Sequence, residues 1–131
     1  MVIIDTTVWV DYFRGTPSPE ALWVNRNLDV SWMGLTDVIL CEVLQGVNGN
    51  ARFVEVREHL SKFELFDGVG ENIAVASAEN YRLLRDRGIT VRKTIDCFIA
   101  TFCIHHDHSL LHHDRDFDPF EKHLGLRVVH P

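Results

Sequence analysis

The sequence contains no apolar run of about 20 residues, which is the length that a membrane-spanning helix requires. Its N-terminus also lacks the basic, apolar and small-residue order of a secretory signal. We therefore expect a cytoplasmic protein that contacts no membrane. Internal repeats, linkers and low-complexity segments are missing as well, and a length of 131 residues suits one domain better than two. These absences predict a single domain over residues 1–131.

Cysteine is scarce and odd in number, with only Cys41, Cys97 and Cys103. A disulfide framework needs an even number of cysteines in an oxidising compartment, so we expect reduced thiols. All three cysteines lie within apolar helical patterns and are predicted to be small buried hydrophobic residues. No two of them have the spacing of a zinc-ligand pair.

Basic residues are fewer than acidic ones, with 13 Lys and Arg compared with 19 Asp and Glu, which gives a net charge of −6. That balance argues against a protein that coats nucleic acid in bulk. It does not exclude an enzyme that acts on nucleic acid, because a group of metal-binding carboxylates adds negative charge. Several basic residues fall between positions 82 and 93, where they form either a solvated helix surface or a phosphate contact.

Short apolar runs alternate with stretches of helical periodicity along the whole chain. Helix starts are predicted at Thr6 or Thr7, at Ser18, at Thr36 with Asp37, and at Thr94. The last helix is predicted to run from Asp116 to Leu124. This alternation predicts an α/β fold with three layers, in which a central, mostly parallel sheet is flanked by helices. The predicted strands are residues 2–4, 30–33, 63–66, 110–113 and 126–129.

Four acidic residues stand at positions where a charge is unexpected. Asp5 and Asp114 each follow a predicted strand, Glu42 lies within an apolar helix, and Asp96 lies in the first turn of a helix that is otherwise apolar. In an open parallel sheet, ligands bind beyond the carboxyl ends of the strands, so Asp5 and Asp114 should face one crevice. Separately, each acid has an ordinary explanation as a cap, a turn former, a helix-dipole partner or an edge residue.

Together these acids would repel one another strongly unless a cation lay between them. Carboxylate oxygens are the ligands that Mg²⁺ and Mn²⁺ prefer, so the sequence predicts a site for Mg²⁺, with Mn²⁺ as the alternative. Such a cation lowers the pKa of a bound water and stabilises charge on a phosphoryl group. An enzyme of this type needs no serine or cysteine nucleophile.

Four segments, VIIDTTVWVDYFRG, LTDVILCEVLQG, TIDCFIATFC and LLHHDRDF, resemble in order and context the motifs of PIN-domain ribonucleases. The similarity is greatest to the VapC-type toxins of bacterial toxin–antitoxin pairs and covers essentially the whole chain. It implies a PIN-like fold with an acidic metal site. Carried over by position, that catalytic site consists of Asp5, Glu42, Asp96 and Asp114, with Asp116 as a weaker additional ligand.

The resemblance also implies a function, which is endonucleolytic cleavage of a structured RNA (tRNA or rRNA) that inhibits translation. The expected products carry a 3′-hydroxyl and a 5′-phosphate. The expected partners are the RNA, a second copy of the chain in a homodimer, and a small VapB-like antitoxin protein. Thr6 and Thr7 are expected either to orient Asp5 or to cap the first helix, and the role of His113 is left open. The predicted RNA contacts are Arg85, Arg87, Arg92, Lys93 and Arg115.

Three other interpretations of the sequence are possible. A PIN-like domain that only binds a partner would need no acids, and an aspartyl phosphatase would carry a second aspartate where Thr7 stands. Five histidines between residues 105 and 113 suggest zinc, although His108 and His112 do not share a predicted helix face. Among the large aromatic residues near the N-terminus, Trp9 and Trp32 are predicted to lie in the core.

Overall fold

A computed structural model describes every residue from Met1 to Pro131, and its centre is a sheet in which every strand pair is parallel. The strand order is β3-β2-β1-β4-β5. This arrangement confirms the predicted α/β fold, and the sheet is wholly rather than mostly parallel. The strands are β1 (Val2–Ile4), β2 (Met33–Thr36), β3 (Glu64–Phe66), β4 (Ser109–Leu111) and β5 (Arg127–Val128).

Seven α-helices flank the sheet, and none of them is long and apolar enough to cross a membrane. A 3₁₀ turn at Arg115–Phe117 precedes the last helix. The single stretch predicted from Asp116 to Leu124 is therefore two elements, and Pro119 follows the first residue of the second. The helices are α1 (Thr6–Arg14), α2 (Pro19–Asn27), α3 (Asp37–Gln45), α4 (Asn50–Leu60), α5 (Glu71–Asp86), α6 (Thr94–His105) and α7 (Asp118–Leu124).

Capping residues explain where several helices begin. The hydroxyls of Ser18 and Thr36 accept backbone N–H groups of α2 and α3, as predicted. The first helix differs from the prediction, because the carboxylate of Asp5 caps it and the helix already includes Thr6. At α6 the cap position belongs to Lys93, which makes no side-chain capping bond, and Thr94 is the first helical residue.

The strand order reverses its direction between β1 and β4, and this reversal locates the crevice. The chain builds β1, β2 and β3 outward to one edge and then returns to place β4 on the other side of β1. Crossovers between parallel strands are almost always right-handed, so those on the two sides of such a point carry helices to opposite faces of the sheet and leave a crevice at the carboxyl ends of β1 and β4. The N–H of Asp5 donates to the carbonyl of Leu111 at 2.9 Å and ties the two strand ends together.

The second strand begins later than predicted. Residues 30–33 were expected to form it, but Val30 and Ser31 donate their N–H groups to the carbonyl of Asn27 and prolong the end of α2. The strand begins at Met33, which pairs with Val2 of β1. Trp32 is consequently 82% exposed, so its assignment to the core was wrong.

The core is one cluster of 22 buried residues that includes Trp9, as predicted. The prediction of buried cysteines is confirmed for Cys97 and Cys103 and is wrong for Cys41, which is exposed on the outer side of α3. The fourth strand ends at Leu111 rather than at residue 113, and the fifth covers only Arg127–Val128.

Candidate metal centre

The first acid, Asp5, is 2% exposed and lies between the end of β1 and the start of α1. Its Oδ2 accepts the backbone N–H of Thr7 at 3.1 Å and the Thr7 hydroxyl at 2.7 Å. Thr7 also accepts the backbone N–H of His113 at 3.0 Å, so one hydroxyl links the end of β1 with the chain that follows β4. An aspartyl phosphatase would carry a second aspartate at position 7. This chain has Thr7 there, and its hydroxyl is bound to Asp5.

The second acid, Glu42, projects from α3 and is oriented by a residue 36 positions away. The hydroxyl of Thr6 donates to its Oε1 at 2.8 Å. The sequence suggested that both threonines orient Asp5, but the hydroxyl of Thr6 is bound to Glu42 and only that of Thr7 is bound to Asp5. Adjacent threonines on the first turn of α1 therefore hold two different carboxylates.

The third acid, Asp96, lies in the first turn of α6 and is 6% exposed. Its Oδ2 is buried and has no hydrogen-bond partner in the protein. A buried carboxylate oxygen without a donor is costly, because it has lost its hydration without gaining a replacement. This atom is the clearest sign that the site is completed by something other than the protein.

The remaining acids come from the chain after β4. Asp114 caps the 3₁₀ turn, because its Oδ1 accepts the N–H of Asp116 at 2.9 Å. One carboxylate oxygen from each of Asp96, Asp114 and Asp116 lies within 4.8 Å of the others. The structure thus brings together two of the four expected ligands and Asp116, which the sequence ranked lower. Asp5 and Glu42 are not part of this close group.

Burial and like charge both act on these carboxylates. Burial is the main cause that raises the pKa of Asp96 from 3.8 to about 7, and the charges of Asp5, Asp114 and Glu42 raise it further. Lys93 lowers it in part. Burial also raises the pKa of Asp5 to about 6, against the lowering effect of its bonds from Thr7. The acids therefore act on one another electrically even where they do not touch.

The donor set fits a hard divalent cation. All three members of the close group are carboxylates, and no nitrogen or sulfur ligand joins them. Oxygen-only ligands favour Mg²⁺ or Mn²⁺ over zinc. A cation here would also satisfy the unpartnered Oδ2 of Asp96 and reduce the repulsion within the group.

Two of the five histidines that suggested zinc, His112 and His113, have other contacts. Nδ1 of His113 lies 2.9 Å from Oδ2 of Asp11, and this hydrogen bond raises the pKa of His113. Nδ1 of His112 accepts the N–H of Asp114 at 3.1 Å. Asp11 was missed by the sequence reasoning, although it lies four residues after Thr7 and thus on the same face of α1.

The five predicted RNA contacts have different surroundings. Arg92 and Arg115 line one cavity together with Asp116. The positive charge of Lys93 lowers the pKa of Asp96 in part. The guanidinium of Arg85 lies 5.9 Å from the ring centroid of Tyr81 on the same helix. Arg87 is the capping residue after α5, and its charge adds to the effect of desolvation in lowering the pKa of His123.

Removing the Thr7 hydroxyl tests how Asp5 is held. For the RNA cleavage that the sequence resemblance implies, we expect Thr7→Val to lower kcat about 10- to 100-fold, because a carboxylate without its supporting hydrogen bond loses its orientation. The free energy of unfolding should fall by about 1–2 kcal/mol, because the N–H of His113 also loses its acceptor. Thr16→Val, at an exposed position after α1, is the matched control and should change neither value. Equal kinetics of the two variants would show that Thr7 only contributes to folding.

Comparison with known proteins identifies relatives of the whole chain. The family model for the PIN domain matches residues 2–122. The VapC ribonuclease Mb1587 of Mycobacterium bovis is 34% identical over 134 residues, which cover 98% of this chain and 98% of the relative.

Two solved structures show the same fold at lower identity. VapBC2 from Rickettsia felis, bound to a DNA fragment from its promoter, has a TM-score of 0.79 and 16% identity, with 98% of each chain covered. A toxin–antitoxin complex from Klebsiella pneumoniae has a TM-score of 0.73 and 21% identity, and the match covers 100% of this chain and 98% of that one.

Proposed function

This chain belongs to the PIN domain family, and from that premise we propose that it is a Mg²⁺-dependent endoribonuclease, with Mn²⁺ as a possible substitute. The observation that carries the proposal is the buried, unpartnered Oδ2 of Asp96 beside the carboxylates of Asp114 and Asp116. The ribonuclease activity is supported by the name of the VapC relative, which covers nearly the full length of the chain.

The carboxylates divide the work of the site. Asp96, Asp114 and Asp116 would hold the cation, while Asp5 and Glu42 add negative charge from positions fixed by Thr7 and Thr6. When bound, a divalent cation supplies a water of lowered pKa and positive charge for the phosphoryl oxygens. Asp5 and Asp96 are buried, so bulk water is excluded from their part of the site. Electrostatic interactions are stronger where water is excluded.

The side chains near the acids offer no competing nucleophile. Cys97 follows Asp96, but its thiol lies 3.1 Å from the carbonyl of Ser77, to which it donates, and burial raises its pKa. The hydroxyls of Thr6 and Thr7 are both donated to carboxylates. Attack by water is therefore the route that these residues favour, and water attack at phosphorus is consistent with 5′-phosphate products.

Cleavage of a structured RNA by the purified chain tests the proposal. Wild-type protein should cut in Mg²⁺ or Mn²⁺ and be inactive in a chelator, because the carboxylates alone cannot stabilise the charge on the phosphoryl group. Asp114→Asn should lose at least about a hundredfold in kcat, whereas Asp29→Asn, at an exposed position, should cut normally. Sequencing the 5′ ends of the products locates the cut.

Other outcomes would replace this proposal. Chelator-resistant cleavage, or full activity of Asp114→Asn, would contradict the metal mechanism. Hydrolysis of phosphomonoesters without RNA cleavage would indicate a phosphatase. Absence of any hydrolysis, with a partner still bound, would indicate an inert binding module.

We also propose that the chain is the toxin of a type II toxin–antitoxin pair in the cytoplasm. Its fold neighbours include VapBC2 and a toxin–antitoxin complex, which supports a small VapB-like antitoxin as partner. A homodimer and a tRNA or rRNA substrate are part of the same proposal. Co-purification of a small protein encoded by the adjacent gene, relief of growth arrest by that protein, and the mass of the isolated chain in solution test these points.

A further inference from the structure

We propose that a cavity walled by Arg92, Arg115 and Lys122 binds backbone phosphates of the RNA on one side of the cleavage position. The inference rests on the ribonuclease function proposed above and assigns part of its substrate path. Lys122 was not among the basic residues predicted from the sequence, because it lies on α7, far along the chain from the basic stretch at residues 82–93.

The first observation is the position of the cavity. It has a volume of about 760 Å³, within the range of about 300–1,000 Å³ that is usual for ligand sites. Asp116, a member of the close carboxylate group, forms part of its wall. Whatever occupies this cavity therefore adjoins the candidate metal centre.

The second observation is that its cations have no protein partners. The ion pairs of the structure are Arg52–Glu55, His113–Asp11, Arg127–Asp107 and His130–Glu121, so none of them uses Arg92, Arg115 or Lys122. The side chains of these three residues donate no hydrogen bond to the protein either.

Three acidic residues, Asp116, Asp118 and Glu121, also line the cavity, and two of them have contacts that limit their effect on its charge. Glu121 is bound to His130 at 2.7 Å, and Asp116 belongs to the carboxylate group that would share a divalent cation. Asp118, at the start of α7, is exposed and unpaired, so one free carboxylate remains beside the three cations. The free hydrogen-bond donors of the cavity are thus guanidinium and ammonium groups, which are the usual ligands of phosphate oxygens.

The third observation is a second cavity that shares Arg115 and Asp118 with the first. It has a volume of about 500 Å³ and is lined by Asp114, Arg115 and His130 among others. Arg115 borders both cavities, and each cavity includes one acid of the close group. A strand that crosses the loop from residue 114 to 116 would therefore contact both cavities.

An extended nucleic-acid strand fits this arrangement because its charges repeat along its length. Phosphates on one side would contact Arg92 and Lys122, while Arg115 would lie at the crossing point. Such contacts position the strand without reading its sequence. An acidic segment of a partner protein is the rival occupant, and the experiment below separates the two.

Kinetics of Arg92→Gln and Lys122→Gln test the proposal on the full chain. Each variant should raise KM for RNA about fivefold to tenfold and leave kcat within about twofold, because the phosphate that it no longer binds is not the one that reacts. The slope of log KM against log salt should weaken by roughly 0.7 for each phosphate that the variant no longer binds. Arg26→Gln removes an exposed cation outside both cavities and is the matched control, with wild-type KM and salt dependence expected.

Single uncharged methylphosphonate linkages then locate the phosphate that Arg92 binds. On one side of the cut, one linkage should raise KM for the wild type about as much as Arg92→Gln does, and should have no further effect on that variant. Full additivity at every linkage, or unchanged KM in both variants, overturns the inference. Unchanged KM together with weakened binding of the co-purifying partner would assign the cavity to that protein.

The results for the wild type and for Asp114→Asn distinguish a failure of this inference from a failure of the proposed function. If wild-type protein fails to cut RNA in Mg²⁺ or Mn²⁺, the ribonuclease proposal fails, and the substrate path fails with it. If the wild type cuts and Asp114→Asn does not, the function stands, and the two cavity variants alone decide the path.

Discussion

Asp96→Asn is expected to abolish RNA cleavage while making the metal-free protein more stable. The loss in kcat should be at least about a thousandfold, because the substitution removes the charge of the carboxylate that is buried and lacks a protein donor. The gain in the free energy of unfolding should be roughly 1–3 kcal/mol at about pH 8, because burial and neighbouring acids disfavour the ionised form of Asp96.

The sign of this stability effect follows from the pKa of Asp96. Its pKa is raised from 3.8 to about 7 on folding, so its contribution to stability is fully present below about pH 4 and is lost as the pH rises through about 7. Asparagine does not titrate. The melting temperatures of the two proteins should therefore be similar near pH 4 and diverge by about pH 8, with the variant melting higher.

Thermal melts in a chelator at these two pH values, with circular dichroism to verify native secondary structure, provide the measurement. Asp29→Asn is the matched control, because it also removes one negative charge but from an exposed position. A variant at Asp96 that melts lower than the wild type at both pH values would mean that its carboxylate stabilises the metal-free fold.

Mg²⁺ should stabilise the wild-type protein far more than the Asp96→Asn variant. A cation that binds only the folded state at about one hundred times its dissociation constant adds about 2.7 kcal/mol, which is a rise of about 8–12 °C in the melting temperature of a domain of this size. The variant retains fewer carboxylates in the close group and should gain only a small part of this.

A series at constant ionic strength, with NaCl in place of MgCl₂, controls for simple screening of the acids. Asp29→Asn should show the full response to Mg²⁺. The site would be refuted if Mg²⁺ raised the melting temperatures of the wild type and of Asp96→Asn equally, because general surface binding would then explain the whole effect.

Much of the fold was readable from local signals. Two helices begin after Ser18 and Thr36, because the hydroxyls of these residues accept backbone N–H groups three residues further on. Gly15 ends α1 in a left-handed conformation that glycine adopts without strain.

The errors arose where distant contacts outweighed local propensity. Residues 30–32 have the side chains of a strand, but the start of β2 is set by its register with β1, which pairs Met33 with Val2. Trp32 was placed in the core because it is large and apolar, yet it precedes the strand and faces solvent. Cys41 lies on the outer side of α3, which the helical pattern did not resolve.

The sequence by itself determined the alternation of strands and helices and the placement of Asp5 and Asp114 after parallel strands, because periodicity and strand ends are local properties. Only the tertiary structure decided which carboxylates meet. Asp116 joins Asp96 because the 3₁₀ turn after Asp114 directs it there, and Thr6 reaches Glu42 across 36 residues. Likewise, Lys122 and Arg92 line one cavity although they are 30 residues apart in the sequence. Such contacts depend on how the crossovers bring separate elements together. Local sequence patterns contain no information about which distant elements will be neighbours.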